Sequence, residues 1–156
     1  EKKYGKDRVI DSPVSEAAVT GAAIGAALVG KKSIVVHPRM DFLLYAMDPI
    51  INQAAKWNYM FGANMPMPFT LRAIINRGGE QGAQHSQALH SFFSHIPGLV
   101  TVMPSSANDA RDLLIASALS PNPVMYIDDR WLYEMEEPLS EAKASKSIFD
   151  FKPNKL

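Results

Sequence analysis

The chain contains no cysteine, which excludes disulfides, thiolate nucleophiles and cysteine-ligated zinc and suits a reducing compartment. It has no excess charge of either sign, with 16 Lys plus Arg against 16 Asp plus Glu. No global field therefore draws it to nucleic acid or to an anionic membrane, and neither partner is expected. Residues 17–30 are almost wholly apolar apart from Thr20, yet a bilayer-spanning helix needs about 20 such residues, so no membrane span is expected. There is no signal-peptide pattern at the start, no internal repeat and no low-complexity segment. The expected location is cytoplasmic, or the mitochondrial matrix in a eukaryote. What is present is ordinary for one globular domain: 156 residues, 47% hydrophobic and 21% charged.

Apolar periodicity and breaker residues predict an alternation of strands and helices. Residues 8–11 read as a short strand and Ser12-Pro13 as a turn. Residues 14–29 read as a helix ended by Gly30, with Gly21 and Gly25 in a small-xxx-small pattern that suits a helix buried on most sides. Strands are predicted at 33–37, 69–75, 99–103 and 124–128. Helices are predicted from Phe42 to about Tyr59 (weakened by Pro49), around 87–93, and at about 108–119. Residues 69–75 are continuously apolar and β-branched apart from Arg72, as expected of a parallel strand covered on both faces. The fold class is thus α/β, a three-layer sandwich with a mostly parallel sheet, whose ligand site belongs at loops after strand C-termini.

Glu16 stands where a turn enters the apolar helix, and a carboxyl group losing water there needs a partner. By position it also suits a structural role, because a carboxylate in the first helical turn complements the dipole. His85, His90 and His95 recur in steps of five, which rotate about 140° on a helix, so they cannot share a face for a metal. Ser86 beside His85 is a poor nucleophile and base pair, since adjacent side chains diverge. Gly21-x-x-x-Gly25 lies inside a helix and is no dinucleotide fingerprint. No metal ligand set is expected.

Several stretches, in order, resemble one family. They are Arg8-Val-Ile-Asp-Ser-Pro-Val-Ser-Glu16, Ala22-Ala-Ile-Gly-Ala-Ala-Leu-Val-Gly30, Met40-Asp-Phe42, Asp48-Pro-Ile-Ile-Asn-Gln-Ala-Ala-Lys56, Gly82-Ala-Gln-His-Ser-Gln87, His95-Ile-Pro-Gly-Leu99 and Pro121-Asn-Pro-Val124. The chain resembles the beta subunit of the decarboxylating component of thiamine diphosphate-dependent 2-oxo acid dehydrogenases, in its transketolase-like pyrimidine-binding domain. The resemblance implies a pyrimidine module of the thiamine diphosphate-binding fold over residues 1–133, lacking the family's first helix and strand. Residues 134–156 are then a linker or terminal arm, and the family's C-terminal transketolase-like domain is absent. It implies that Glu16 is catalytic and cofactor-binding through a hydrogen bond to a ring nitrogen of the aminopyrimidine. Phe42 is implied as the ring stacked on the pyrimidine, and His85 as a catalytic histidine near the thiazolium side. Thiamine diphosphate is the implied cofactor, with magnesium held by the partner chain. The implied partners are an alpha-type subunit in a heterotetramer, homologous beta chains and a lipoyl acyltransferase.

The chain departs from that family after the second strand, where Val36, His37 and Pro38-Arg39 replace an acidic and an aromatic residue, and in the Asn76-Arg-Gly-Gly-Glu80 loop. At a family monovalent-cation position near Phe69, Ala118 and Asn122, Ser120 replaces aspartate, so the ion is not predicted here. Two alternatives stand beside the dehydrogenase reading: a subunit for transketolase-type two-carbon transfer between sugar phosphates, and a non-catalytic truncated homologue serving assembly.

Overall fold

The computed structural model describes residues 1–77 and 81–142; the predicted arm beyond residue 142 and residues 78–80 of the departing loop lie outside the described residues. Four strands form one parallel sheet in the order β1-β2-β4-β3. They are β1 (Ser33–His37), β2 (Phe69–Ile75), β3 (Val100–Val102) and β4 (Val124–Asp129). The helices are α1 (Glu16–Leu28), α2 (Ala55–Met60), α3 (His90–Ser94) and α4 (Ala107–Leu119). Pairing registers Ser33 with Phe69, Thr70 with Val124 and Val100 with Val124. The chain steps from β1 to β2, skips to the far edge for β3 and returns through α4 to β4, so the direction of winding reverses after β3.

The period-2 alternation of a strand assigns side chains to two faces. Phe69, Leu71, Met125 and Ile127 point into a core completed by Ile24 of α1 and Phe93 of α3. On the opposite face Tyr126 donates its hydroxyl hydrogen to Ala110 O of α4 at 3.0 Å. Three layers result. Every residue of β4 is buried, as its run of apolar residues demands for a strand with helices on both sides. Each large core side chain contributes about 1.5–3 kcal/mol by leaving water.

The helix ends follow capping chemistry. Gly30 (φ +83°) closes α1, with its N–H bonded to Ala27 O at 2.9 Å and the Lys31 N–H to Ala26 O at 3.0 Å, the paired bonds of a left-handed C-terminal cap. Ser106 opens α4 by accepting the Asp109 N–H at 3.1 Å. The antiparallel pairing of α1 with β1 follows from the short connection between them. It carries Glu16, at the helix N-terminus, to the level of the strand's C-terminal end, where ligand sites of parallel sheets form.

Four expectations are corrected. Residues 8–11 are not a strand: the Arg8 and Val9 N–H groups turn back to Gly5 O at 3.3 and 3.1 Å, and four residues with exposed Val9 and Ile10 bury too little to hold an edge position. Helix α1 is not enclosed on most sides. Thr20, Ile24 and Ala27 face the core, whereas Ala18, Ala22 and Gly25 are exposed, because one sheet can cover only one face of a helix. The single helix expected from Phe42 to Tyr59 is a 3-10 turn at Met40–Ala46, a wider π-helical stretch at Pro49–Ala54 and then α2. Pro49 supplies no N–H to a regular ladder, which explains the break in pitch. Helix α3 also starts at His90 rather than Gln87.

Beyond β4 the chain returns to the start of α4. Asn108 Nδ2 donates to Pro138 O at 3.0 Å, Arg111 Nη1 to Ser140 O at 3.0 Å, and the Asn108 backbone N–H to the Glu137 carboxylate. The acidic residue at this helix N-terminus complements the positive end of the dipole.

Candidate active site

Glu16 is the first residue of α1 and is half-buried. One helical turn on, Thr20 occupies the same face, since positions i and i+4 stack. Thr20 is fully buried, and its hydroxyl lies 3.0 Å from Nε2 of His37, the last residue of β1. The strand turns Val35 and His37 inward and leaves Ile34 and Val36 exposed. His37 is 6% exposed. Burial lowers its pKa below 6.5, and the nearby charge of Glu16 works in the opposite direction.

A second group of contacts fastens the loop after β2 to the 3-10 turn. Phe42 and His85 meet in a T-shaped ring contact with centroids 5.2 Å apart, an arrangement worth about 0.5–1.5 kcal/mol beyond burial. Asp41, 4% exposed, accepts the Gln87 N–H on Oδ1 at 3.0 Å, and its buried Oδ2 has no hydrogen-bond partner among the described residues. Arg39 Nη2 donates to Gln81 Oε1 at 2.9 Å. Gly82 takes φ +80° and its carbonyl accepts the His85 N–H at 3.1 Å, the tight turn that presents the histidine.

The structure therefore joins Phe42 directly to His85 and packs α1, which carries Glu16, against the 3-10 turn that carries Phe42. His90 and His95 are exposed on and just beyond α3. Thr20, His37 and Asp41 were not singled out by sequence reasoning. The available signal for Asp41 was its place in the Met40-Asp-Phe42 motif. For His37 it was its place among the departures from the family pattern, as a polar residue after the apolar Ile34-Val35-Val36.

A third set of charges lies at the C-terminal ends of β2 and β4. Buried Asp128 pairs with Arg72, buried Asp129 with Arg77, and Arg130 Nη1 donates to Asn76 Oδ1 at 2.6 Å. Buried carboxylates require such partners. Arg72 and Asp128 also line a depression of about 500 Å³ on the α4 face, with Tyr126, Tyr133, Leu114 and Met135. Arg72 and Asp128 are paired with one another, while Asp129 and Arg111, which also line it, pair with Arg77 and Asp112 outside it. At the cation position considered above, Ser120 Oγ donates to Asn122 O at 3.1 Å and accepts its N–H at 3.0 Å, closing a turn.

The depressed pKa of His37 has a consequence for stability. A histidine buried neutral binds fewer protons folded than unfolded, so its contribution is fully present above about pH 6.5 and is lost as pH falls from there to the folded value, below which it levels off. Chemical denaturation at pH 7.5 and pH 5 is expected to show a loss of stability that His37→Gln reduces. An equal loss in both proteins contradicts burial of the neutral ring.

The residues present fit the pyrimidine end of thiamine diphosphate. Phe42 is a half-exposed aromatic ring beside a buried carboxylate oxygen without a partner among the described residues, and Glu16 is a half-buried carboxyl at the same end of the sheet. Among the described residues no group of three or more His, Asp or Glu could hold a metal ion. No helix among the described residues is long and apolar enough to cross a membrane.

Comparison with known proteins points the same way. The family model described as transketolase, pyrimidine binding domain, matches residues 1–135. The chain is 41% identical over 138 residues to the pyruvate dehydrogenase E1 component subunit beta-2, mitochondrial, of Oryza sativa, covering 88% of this chain and 37% of the relative. It is 41% identical over 140 residues to the acetoin:2,6-dichlorophenolindophenol oxidoreductase subunit beta of Bacillus subtilis, covering 90% and 41%. The chain thus spans about two fifths of the length of these curated relatives. Among solved structures, a split gene transketolase described as an inactive beta4 tetramer superposes with TM-score 0.69 at 20% identity, over 88% of this chain and 42% of that one. That likeness shows the fold.

Proposed function

Since the chain belongs to the transketolase pyrimidine-binding-domain family, we propose that it supplies the pyrimidine half of a thiamine diphosphate site in an enzyme that decarboxylates a 2-oxo acid and transfers the acyl group. The half-buried Glu16 at the C-terminal end of the sheet, on the helix packed against the turn that carries Phe42, is the observation that bears this reading. The chain's 41% identity to a pyruvate dehydrogenase E1 beta subunit supports decarboxylation of a 2-oxo acid, and its likeness to the beta subunit of an acetoin oxidoreductase supports the broader oxidoreductase class.

When bound, thiamine diphosphate would supply the nucleophilic carbon and the electron sink that decarboxylation of a 2-oxo acid requires. Glu16 exchanges a proton with a ring nitrogen of the aminopyrimidine, a role for which a carboxyl withdrawn from bulk water on a rigid helix is suited. Phe42 offers its ring for stacking. His85, fixed by the Gly82 turn and by Phe42, faces the substrate side and handles protons there. Asp41 holds the loop bearing His85 through the Gln87 N–H. The diphosphate and its magnesium fall to an alpha-type partner chain, and the exposed small-residue face of α1 (Ala18, Ala22, Gly25) suits contact with another subunit.

The decisive experiment mixes the chain with its alpha-type partner, thiamine diphosphate and magnesium, and compares 2-oxo acids with ketose phosphates. Release of carbon dioxide from a 2-oxo acid, dependent on both chains, is expected. Turnover of ketose phosphates alone replaces the reading with two-carbon transfer, and complex formation without thiamine-dependent turnover replaces it with an assembly role.

A further inference from the structure

The loop that carries His85 is held by one short segment. Residues 81–87 form no helix or strand. Among the described residues, every side-chain hydrogen bond and ring contact that leaves them ends on residues 39–42. Arg39 Nη2 donates to Gln81 Oε1 at 2.9 Å, and Asp41 Oδ1 accepts the Gln87 N–H at 3.0 Å. Between them Phe42 meets the His85 ring, with centroids 5.2 Å apart. Both ends and the middle of the loop are thus fastened to four consecutive residues. We propose that Arg39 is a positioning residue for His85: with Asp41 at the opposite end it clasps the loop, so that the imidazole is seated against Phe42 before a partner or substrate arrives. The inference rests on His85 as the proton-handling group of the reading above.

The base of this clasp is rigid. Met40, between Arg39 and Asp41, is fully buried, as is Leu43, so the turn is rooted in a close-packed core and does not follow the loop outward. Pro38 fixes the backbone just before it, and Arg39 Nη1 donates to Pro38 O at 2.9 Å, which holds the guanidinium over its own end of the turn. Buried Asp41 cannot yield the Gln87 N–H to bulk water without opening that turn. The loop itself has no such root. None of residues 81–87 is buried, and a segment with few buried contacts opens locally unless it is tethered. Cutting the Arg39 bond leaves the stretch from Gln81 to His85 fastened only at the ring contact and beyond. A reacting group displaced by about 1 Å loses up to about 10²-fold in rate, so a weak tether has a visible effect on turnover.

The test on the full chain alone is amide hydrogen exchange of residues 81–87, with β2 as the internal reference. Gln81 is exposed and Arg39 half-buried, so neither substitution opens the core. Arg39→Ala and Gln81→Ala are each expected to speed exchange of the loop about threefold or more and to leave β2 unchanged. The double variant is expected to exceed either single one by less than about twofold, because both remove the same bond. An unchanged loop rate in the two single variants overturns the proposal whatever the enzyme does. A second measurement uses the complex with the alpha-type partner. Arg39→Ala is expected to lower kcat about fivefold or more and to leave KM within about twofold. In the His85→Gln background the same change is expected to add less than about twofold, since the group it positions is gone. An equal loss in both backgrounds shows that Arg39 does not act through the histidine and overturns the proposal. The failures are separable: an unchanged exchange rate removes the clasp and leaves the cofactor reading intact, whereas full turnover by Glu16→Gln removes that reading and leaves the measured clasp.

Discussion

Glu16→Gln is expected to lower thiamine-dependent turnover of the reconstituted complex by about 10²-fold or more, the scale of a lost general acid–base group. The substitution keeps the size and shape of the side chain and removes its ability to exchange a proton. Glu16 is the acidic residue of the first turn of α1, whose N-cap residue is Ser15, so removing its charge costs the helix only the few tenths to about 1 kcal/mol of a first-turn carboxylate. Folding, followed by circular dichroism, should therefore be nearly unchanged, and the loss should fall on kcat. Full turnover by the variant would end the assignment of this residue. A loss confined to KM would reassign Glu16 to uniform binding of the cofactor or substrate.

Gly98→Ala is expected to cost about 3–5 kcal/mol of stability, the sum of a left-handed backbone position and an overpacked contact. Gly98 has φ +91°, and a Cβ there falls 2.0 Å from Ala55 O and 3.1 Å from Ala55 C. Those atoms are helix backbone, at the start of α2 where the π-helical stretch ends, so no rotamer change relieves the clash. The contact matters because the 97–98 turn feeds β3 while Lys56 Nζ holds Pro97 O at 3.3 Å. Displacing the turn disturbs the junction of the irregular helical crossover with the sheet. Thermal denaturation should show a fall of roughly 10 °C in Tm. Gly25→Ala is the internal control: the position is helical with nothing within 4 Å of the added Cβ, and it should gain about 0.5–1 kcal/mol. A Gly98→Ala protein as stable as the parent would show that the close approach to Ala55 does not exist.

The regular elements were legible where local signals agreed. The apolar runs at 33–37 and 69–75 coincide with β1 and β2, because continuous β-branched sequence bounded by breakers leaves little alternative. Gly30 marked the end of α1 for the steric reason that it occupies a left-handed position. Residues 8–11 show the limit of such signals, since strand-like composition makes a strand only where a neighbour offers unpaired backbone. The crossover at residues 40–60 shows another: apolar spacing identified a helical stretch, while Pro49 and packing against α1 set its changing pitch.

Of the candidate site, Glu16, Phe42 and His85 stood out through their motifs, and the structure adds the Phe42–His85 contact and the Asp41 tether. His37 was hidden because Ser-Ile-Val-Val-His does not say which of its faces turns inward. The apolar Ile34 and Val36 are the exposed ones. By itself, the amino-acid order determined the absence of thiol chemistry, the alternation of strands and helices, the helix stops and the family motifs, all of which depend on composition or on neighbours a few residues away. Only the tertiary structure decided which groups meet. Thr20 reaches His37 across 17 positions, Arg72 reaches Asp128 across 56, and Gly98 lies against Ala55. Such contacts are set by the order and winding of the strands, and a pairing created by closure of a three-dimensional core leaves no local periodicity to read.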